Sequence, residues 1–309
     1  MSIFSLFKKK LSPKWAFKKD GFIWKALFLD SGFIAIEHRA KSERKTTFLL
    51  LDAETGKAIW QDYTLLVPNG PKKGEPIGEG WWVGLEAVKG ELIYLHSYFN
   101  PSSPEHLGIW AMQARTKELK WALPDFSFLC FTQGKMMAYR ESGDAEGFAD
   151  RNFFMINPET GEIVESLGKD SLITNRIRED AESEAEMQGV ELPVPCAPEA
   201  KQYQDILSVL KPYMSDKPIT GGFELLRSSG KLFFGYHEQT ERTVVTQVGL
   251  PVKALNYRLK VLDEASEKIQ FDDIISTLMS GFLVDGFFVR KGVLYFVRER
   301  DTVCAYPLE

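Results

Sequence analysis

Residues 49–60 read LLLDAETGKAIW: an apolar run, a four-residue polar turn closed by Gly56, and a short apolar piece ending in Trp60. Variants of this element recur along the chain, and internal recurrence at a spacing of about 40–50 residues marks a repeat architecture. Just before it, FIWKALFLD and FIAIEHR flank Ser31 and Gly32. The same strand, x-Gly turn and strand return at Lys89–Gly90, Gln133–Gly134, Ser229–Gly230 and Lys291–Gly292. Glycine at the second turn position supplies the positive φ that a tight hairpin needs, and the β-branched and aromatic flanks suit strands.

Each hairpin is followed by a third strand, a polar turn and a short fourth strand. These are TTFLLLD and KAIW in the first unit, LGIWAMQ and ELKWAL in the second, NFFMIN and EIVESL in the third, and YRLKVLD and EKIQF in the fourth. The fifth unit stops after its third strand, TVCAYPLE. Residues 12–17, SPKWAF, read like the KWAL of the second unit, so the N-terminal piece is expected to complete the fifth and leave no open sheet edge. The expected fold is all-β: a five-bladed β-propeller with four antiparallel strands per blade, closed by the N-terminal strand. It forms one domain over residues 1–309, with a small helical insertion at 168–222 between blades three and four. An open sandwich of hairpins is the competing arrangement.

The turn elements DAETGKAIW, NPETGEIV and DEASEKIQ resemble the repeat of quinoprotein-type (PQQ-like) propellers. The chain as a whole also resembles an uncharacterised bacterial family known as a domain of unknown function. The resemblance implies a propeller blade. It does not extend to quinone chemistry, because the chain has no adjacent cysteine pair and no matching Glu-Asn-Asp set for a calcium ion. No cofactor is expected.

The totals narrow the classes. With 44% hydrophobic and 13% aromatic residues, the chain can bury a large core. A net charge of −5 argues against general nucleic-acid affinity. Three dispersed cysteines (Cys130, Cys196, Cys304) imply neither a disulfide framework nor a metal quartet and suit a reducing compartment. The start, MSIFSLFKKKLSPKW, does not read as a secretory signal. No apolar run is long enough to span a membrane, and a cytoplasmic location is the default expectation. The lysines at 8, 9 and 10 read as a solvated tail.

Long connections all fall on one face: residues 61–80, 99–107, 142–151, 168–222 and about 239–253. Within the insertion, residues 176–188 read as an acidic helix, LPVPCAP as a breaker, and 202–214 as a helix with one apolar face. Loops on a rigid scaffold carry function. Aligning second strands on their turn glycines brings His38, Arg140, His237 and Arg298 to one height, with His96, Tyr139 and Tyr236 one residue earlier. His106 sits in a loop of the same face, and histidine is readily poised for proton transfer or metal ligation. Lys25, Ser127 and Asp285 share a height on first strands, and Lys25–Asp285 is the expected ion pair, since buried charges need partners. Glu86, paired with Asp285, compares poorly with the carboxylates of a glycosidase.

No phosphate loop, G-x-S-x-G elbow, H-E-x-x-H or C-x-x-C is present, so no catalytic set and no metal site is assigned. The expected function is a non-catalytic module that binds a protein or small molecule on the long-loop face, as a monomer or weak oligomer. Its candidate ligand-binding residues are His38, His96, Tyr139, Arg140, Tyr236, His237, Arg298, Lys25 and Asp285. The alternative is a hydrolase of glycoside or lactone type, with a metal-assisted version drawing on His38, His96 and His237.

Overall fold

The computed structural model describes residues 10–99, 102, 104–143, 149–181, 183–246 and 248–308. The tail lysines at 8 and 9, and parts of the 99–107 and 142–151 connections, lie outside the described residues. The chain divides into two compact units, residues 20–188 and residues 1–19 with 189–309.

β1 (Trp15–Lys18) belongs to the last sheet. In the unit of residues 20–188, three sheets are four-stranded antiparallel meanders. They are β2 (Phe22–Phe28) to β5 (Ala58–Tyr63), β6 (Val83–Lys89) to β9 (Leu119–Leu123), and β10 (Ser127–Thr132) to β13 (Ile163–Gly168). The x-Gly turns fall where expected, with Gln133 and Gly134 both at positive φ (47° and 75°). The polar turns close alike. The Asp52 carboxylate accepts from the Glu54 and Thr55 amides at 3.0 and 2.8 Å, and Asn157 does the same for Glu159 and Thr160. Such local side-chain caps favour a turn over a continuing strand.

A Trp on each of two fourth strands holds the next sheet. Trp60 Nε1 donates to the Ala114 carbonyl at 2.7 Å, and Trp121 Nε1 to the Pro158 carbonyl at 3.0 Å. Gly161 (φ 75°) is required under Trp121, where a Cβ would come within 2.7 Å of the ring. The core lies between consecutive sheets: Leu27, Leu50 and Trp60 pack with Leu85, Leu95 and Trp110, and Tyr94 and Ala111 with Phe131 and Met136.

The other unit holds two five-stranded antiparallel sheets. One contains β16 (Ile219–Ser228), β17 (Lys231–Val245), β18 (Pro251–Asp263) and β19 (Lys268–Met279). The other contains β20 (Phe287–Arg290), β21 (Val293–Arg298) and β22 (Thr302–Pro307), and β1 completes it by pairing antiparallel with β22, Trp15 opposite Ala305. The terminal complementarity read from SPKWAF is therefore a real strand pair.

The insertion carries short strands as well as the expected helices. The LPVPCAP run is not a bare breaker: β15 (Val194–Cys196) pairs with β16, and β14 (Val190–Glu191) with β20. Pro195 is tolerated there because β15 is an edge strand. The single helix expected over 176–188 is two, α1 (Ser171–Glu179) and α2 (Glu184–Gln188). Asp170 caps the first, and a Ser183–Glu186 capping box starts the second. α3 (Tyr203–Leu210) packs its apolar face on Phe223 and Phe234, as its periodicity implied. The 239–253 connection is an extended hairpin, with Thr243 opposite Lys253.

Candidate functional site

Most of the aligned polar residues are engaged by neighbouring groups of the fold. His38 is buried, its Nε2 2.7 Å from the Asp20 carbonyl and its Nδ1 3.3 Å from Thr47 Oγ1. Tyr236 is buried and its hydroxyl accepts from the Ser215 amide. Arg298 is engaged by Asp273 and the Tyr306 hydroxyl. Lys25, expected to pair with Asp285, gives its Nζ to Glu184 at 3.1 Å and to the Glu86 carbonyl at 2.7 Å. The Asp285 amide donates to Glu224 at 2.6 Å. His237 Nε2 accepts from the Leu283 amide at 2.9 Å, with the ring edge-on to Tyr257 and Phe282. Burial pushes its pKa down to about 4, so the ring is neutral at pH 7 and can only be an acceptor at that nitrogen. The three-histidine metal set of the sequence reading does not assemble in the unit of residues 20–188, where His38 is committed to Asp20 and Thr47.

A different set does. Glu86 on β6, His96 on β7 (Leu92–Tyr98) and His106 at the head of β8 (His106–Gln113) place their donor atoms within 4.8 Å of one another. His106 Nδ1 donates to Glu86 Oε2 at 2.8 Å, and His96 Nδ1 lies 3.0 Å from the same oxygen. The imidazoles are stacked 3.5 Å apart, 9° from parallel, with Tyr98 edge-on to both. His96 is 4% exposed, and neither of its nitrogens meets hydrogen-bond geometry with any described residue. Burial would raise the Glu86 carboxyl, but the His106 hydrogen bond and the adjoining imidazoles outweigh it and hold the pKa at about 2. Burial pushes His96 below the usual histidine range, with Glu86 opposing.

Local backbone explains the convergence. Glu86 is the extra residue of a β-bulge, because Leu85 faces Leu95 while Ala87 faces Tyr94. The β7–β8 pairing also slips at His96. Bulges re-aim side chains, and here they turn two onto one point. Gly84 makes the seat for His96: a Cβ there would lie 2.6 Å from the imidazole.

His106 also lines a cleft of about 370 Å³ with Phe99, Asp125, Ser127, Tyr139, Arg140 and Glu141. Two predicted residues, Tyr139 and Arg140, therefore belong to it. Arg140 lies over the Phe126 and Phe154 rings, and Arg151 covers Tyr139 while pairing with Glu105 and Glu141. A larger hollow of about 1020 Å³ is walled by the Gly90, Gly134 and Asn157 turns. Apart from Lys120 on β9, its charged residues stand at or beside the short turns, and none of the polar belt lines it.

Residues 29–121 match the family DUF4905, a domain of unknown function. Glu86, His96 and His106 all lie in the matched stretch. No characterised protein matches the chain by sequence. Similar solved structures include a DUF4221 member from Bacteroides vulgatus, at 11% identity over 96% of this chain and 97% of that one, TM-score 0.29. The β-propeller domain of the Trilobed protease from Pyrococcus furiosus has 12% identity over 93% and 82%, TM-score 0.31. An endo-arabinase from Bacteroides thetaiotaomicron has 11% identity over 98% of each chain, TM-score 0.29. At these TM-scores none of the three bears on what this chain binds or does.

Proposed function

We propose that this protein is a binding module built as a single five-bladed propeller, and that it takes a small polyhydroxylated ligand in the cleft beside His106. The β1–β22 pair supports ring closure, and the Trp clamps support consecutive sheets acting as blades. The cleft carries the functional reading. Its size falls in the ordinary range for small-molecule sites, and it joins His106 to the predicted Tyr139 and Arg140. Carboxylates from Glu105, Asp125 and Glu141 accept hydrogen bonds from sugar hydroxyls, Arg140 donates, and the exposed Phe99 ring offers apolar contact to a sugar's C–H face. The free thiols of Cys130, Cys196 and Cys304 agree with a cytoplasmic setting.

Saturation-transfer NMR with glucose, galactose, N-acetylglucosamine and their trisaccharides tests this reading. Transfer to at least one sugar, weakened at least about tenfold by Arg140→Ala through the lost charged hydrogen bonds, is the expected result. No transfer from any sugar at millimolar concentration rejects the ligand class.

A further inference from the structure

We infer that Glu86, His96 and His106 form a binding site for one divalent transition-metal ion of the zinc class. The inference goes beyond the sugar-cleft reading and stands without it. Two imidazole nitrogens and one carboxylate oxygen are a donor set for zinc and its neighbours rather than for calcium or magnesium, which take oxygen ligands. The three donors converge within 4.8 Å.

The independent observation is the buried ring of His96. Buried polar atoms are nearly always satisfied, and each exception calls for an explanation, an unseen ion or water among them. Among the described residues Nε2 has no partner, and Nδ1 has only the Glu86 oxygen at 3.0 Å, outside hydrogen-bond geometry; the ring is wedged against Gly84, where not even a methyl group would fit. An ion bound to Nδ1 gives that nitrogen its partner and neutralises the Glu86 carboxylate.

The stacking geometry assigns the roles. Rings 9° from parallel and 3.5 Å apart have no common plane in which an ion can lie. One ring has to tilt. His96 is clamped, whereas the His106 side chain is 36% exposed and heads its strand. Glu86 and His96 are thus the fixed ligands, and His106 turns to close the site. Surrounding contacts hold the frame: the Ser127 hydroxyl donates to the His106 carbonyl at 2.7 Å, and the Leu85 amide to Glu37 at 2.8 Å. Three protein ligands leave open coordination positions, as in zinc sites that accept an exogenous ligand.

The test uses the full chain, stripped with a chelator and titrated with Zn²⁺ by calorimetry and with Co²⁺ by visible absorption. One ion per chain is expected, with d–d bands and no thiolate charge-transfer band. His106→Ala and Glu86→Gln should each weaken binding at least about tenfold, the scale on which even supporting residues of metal sites act. Cys130→Ser should leave binding unchanged. Because His106 is half-exposed, its variant should keep the parent's far-ultraviolet dichroism, and Glu86→Gln, which keeps the shape of the side chain, gives a second reading. Absence of stoichiometric binding, or full affinity retained in either variant, overturns the proposal.

Discussion

Two second-strand histidines have opposite fates. His237 on β17 is buried at 5% exposure with its acceptor nitrogen filled by the Leu283 amide. Nearby, Glu224 accepts from the Asp285 and Gly286 amides and the Tyr257 hydroxyl. Polar side chains there act as a latch on residues 283–286. His96 on β7 is as deeply buried, yet among the described residues its Nε2 is unanswered, and its Nδ1 lies 3.0 Å from a carboxylate that a second imidazole already holds. Burial is the same in kind, and on the strands aligned by their turn glycines the two stand one residue apart. What separates a lock from a candidate site is whether each donor and acceptor is already spent.

Experiments can sharpen or break that contrast. The largest effect should come from Glu224→Ala, which strands two backbone amides and a buried hydroxyl and should cost about 3 kcal/mol in urea unfolding. A loss below about 1 kcal/mol would show that the latch is no latch. Next is the pH dependence of the intact protein. With the folded His237 pKa at about 4 against an ordinary 6.5, the unfolded chain binds the extra proton between those values. Stability should be full above pH 6.5, fall as pH drops toward 4, and level off below, by up to about 3 kcal/mol. His237→Gln, which keeps an acceptor but does not titrate, should flatten that limb; an unchanged limb would assign it elsewhere. The smallest effect is expected at the other site. Gly84→Ala pushes a methyl into the His96 ring and should cost about 2 kcal/mol, while lowering affinity for Co²⁺. Unchanged stability would mean that His96 is free to move and is not the clamped ligand.

The sequence carried the repeats, the x-Gly turns and the terminal strand pair because each depends on local chemistry: a positive φ at Gly134, an Asx cap at Asp52, a matching KWA element. That Tyr139 and Arg140 line one cleft with His106 was legible from strand height alone. The metal set was not. Height counted from the turn glycine assumes regular pleating, and Glu86 occupies a bulge while the pairing slips at His96. One inserted residue moves a side chain to the other face. His38 and His237 looked equivalent to His96 because their partners are backbone groups, Asp20 and Leu283, which no residue pattern encodes. The capping box at Ser183–Glu186 was available in the letters and marks the break between α1 and α2.

The pairing of Trp15 with Ala305 also governs how the chain comes into being. During synthesis β1 leaves the ribosome long before its partner β22. Until β22 is made, β1 lacks the strand it pairs with, and until Tyr295 is made Trp15 lacks the ring against which it rests in the folded chain. Contacts of such long sequence separation form slowly. Completion of this sheet therefore waits on the synthesis of β22, and β1 stays open to off-pathway pairing until then.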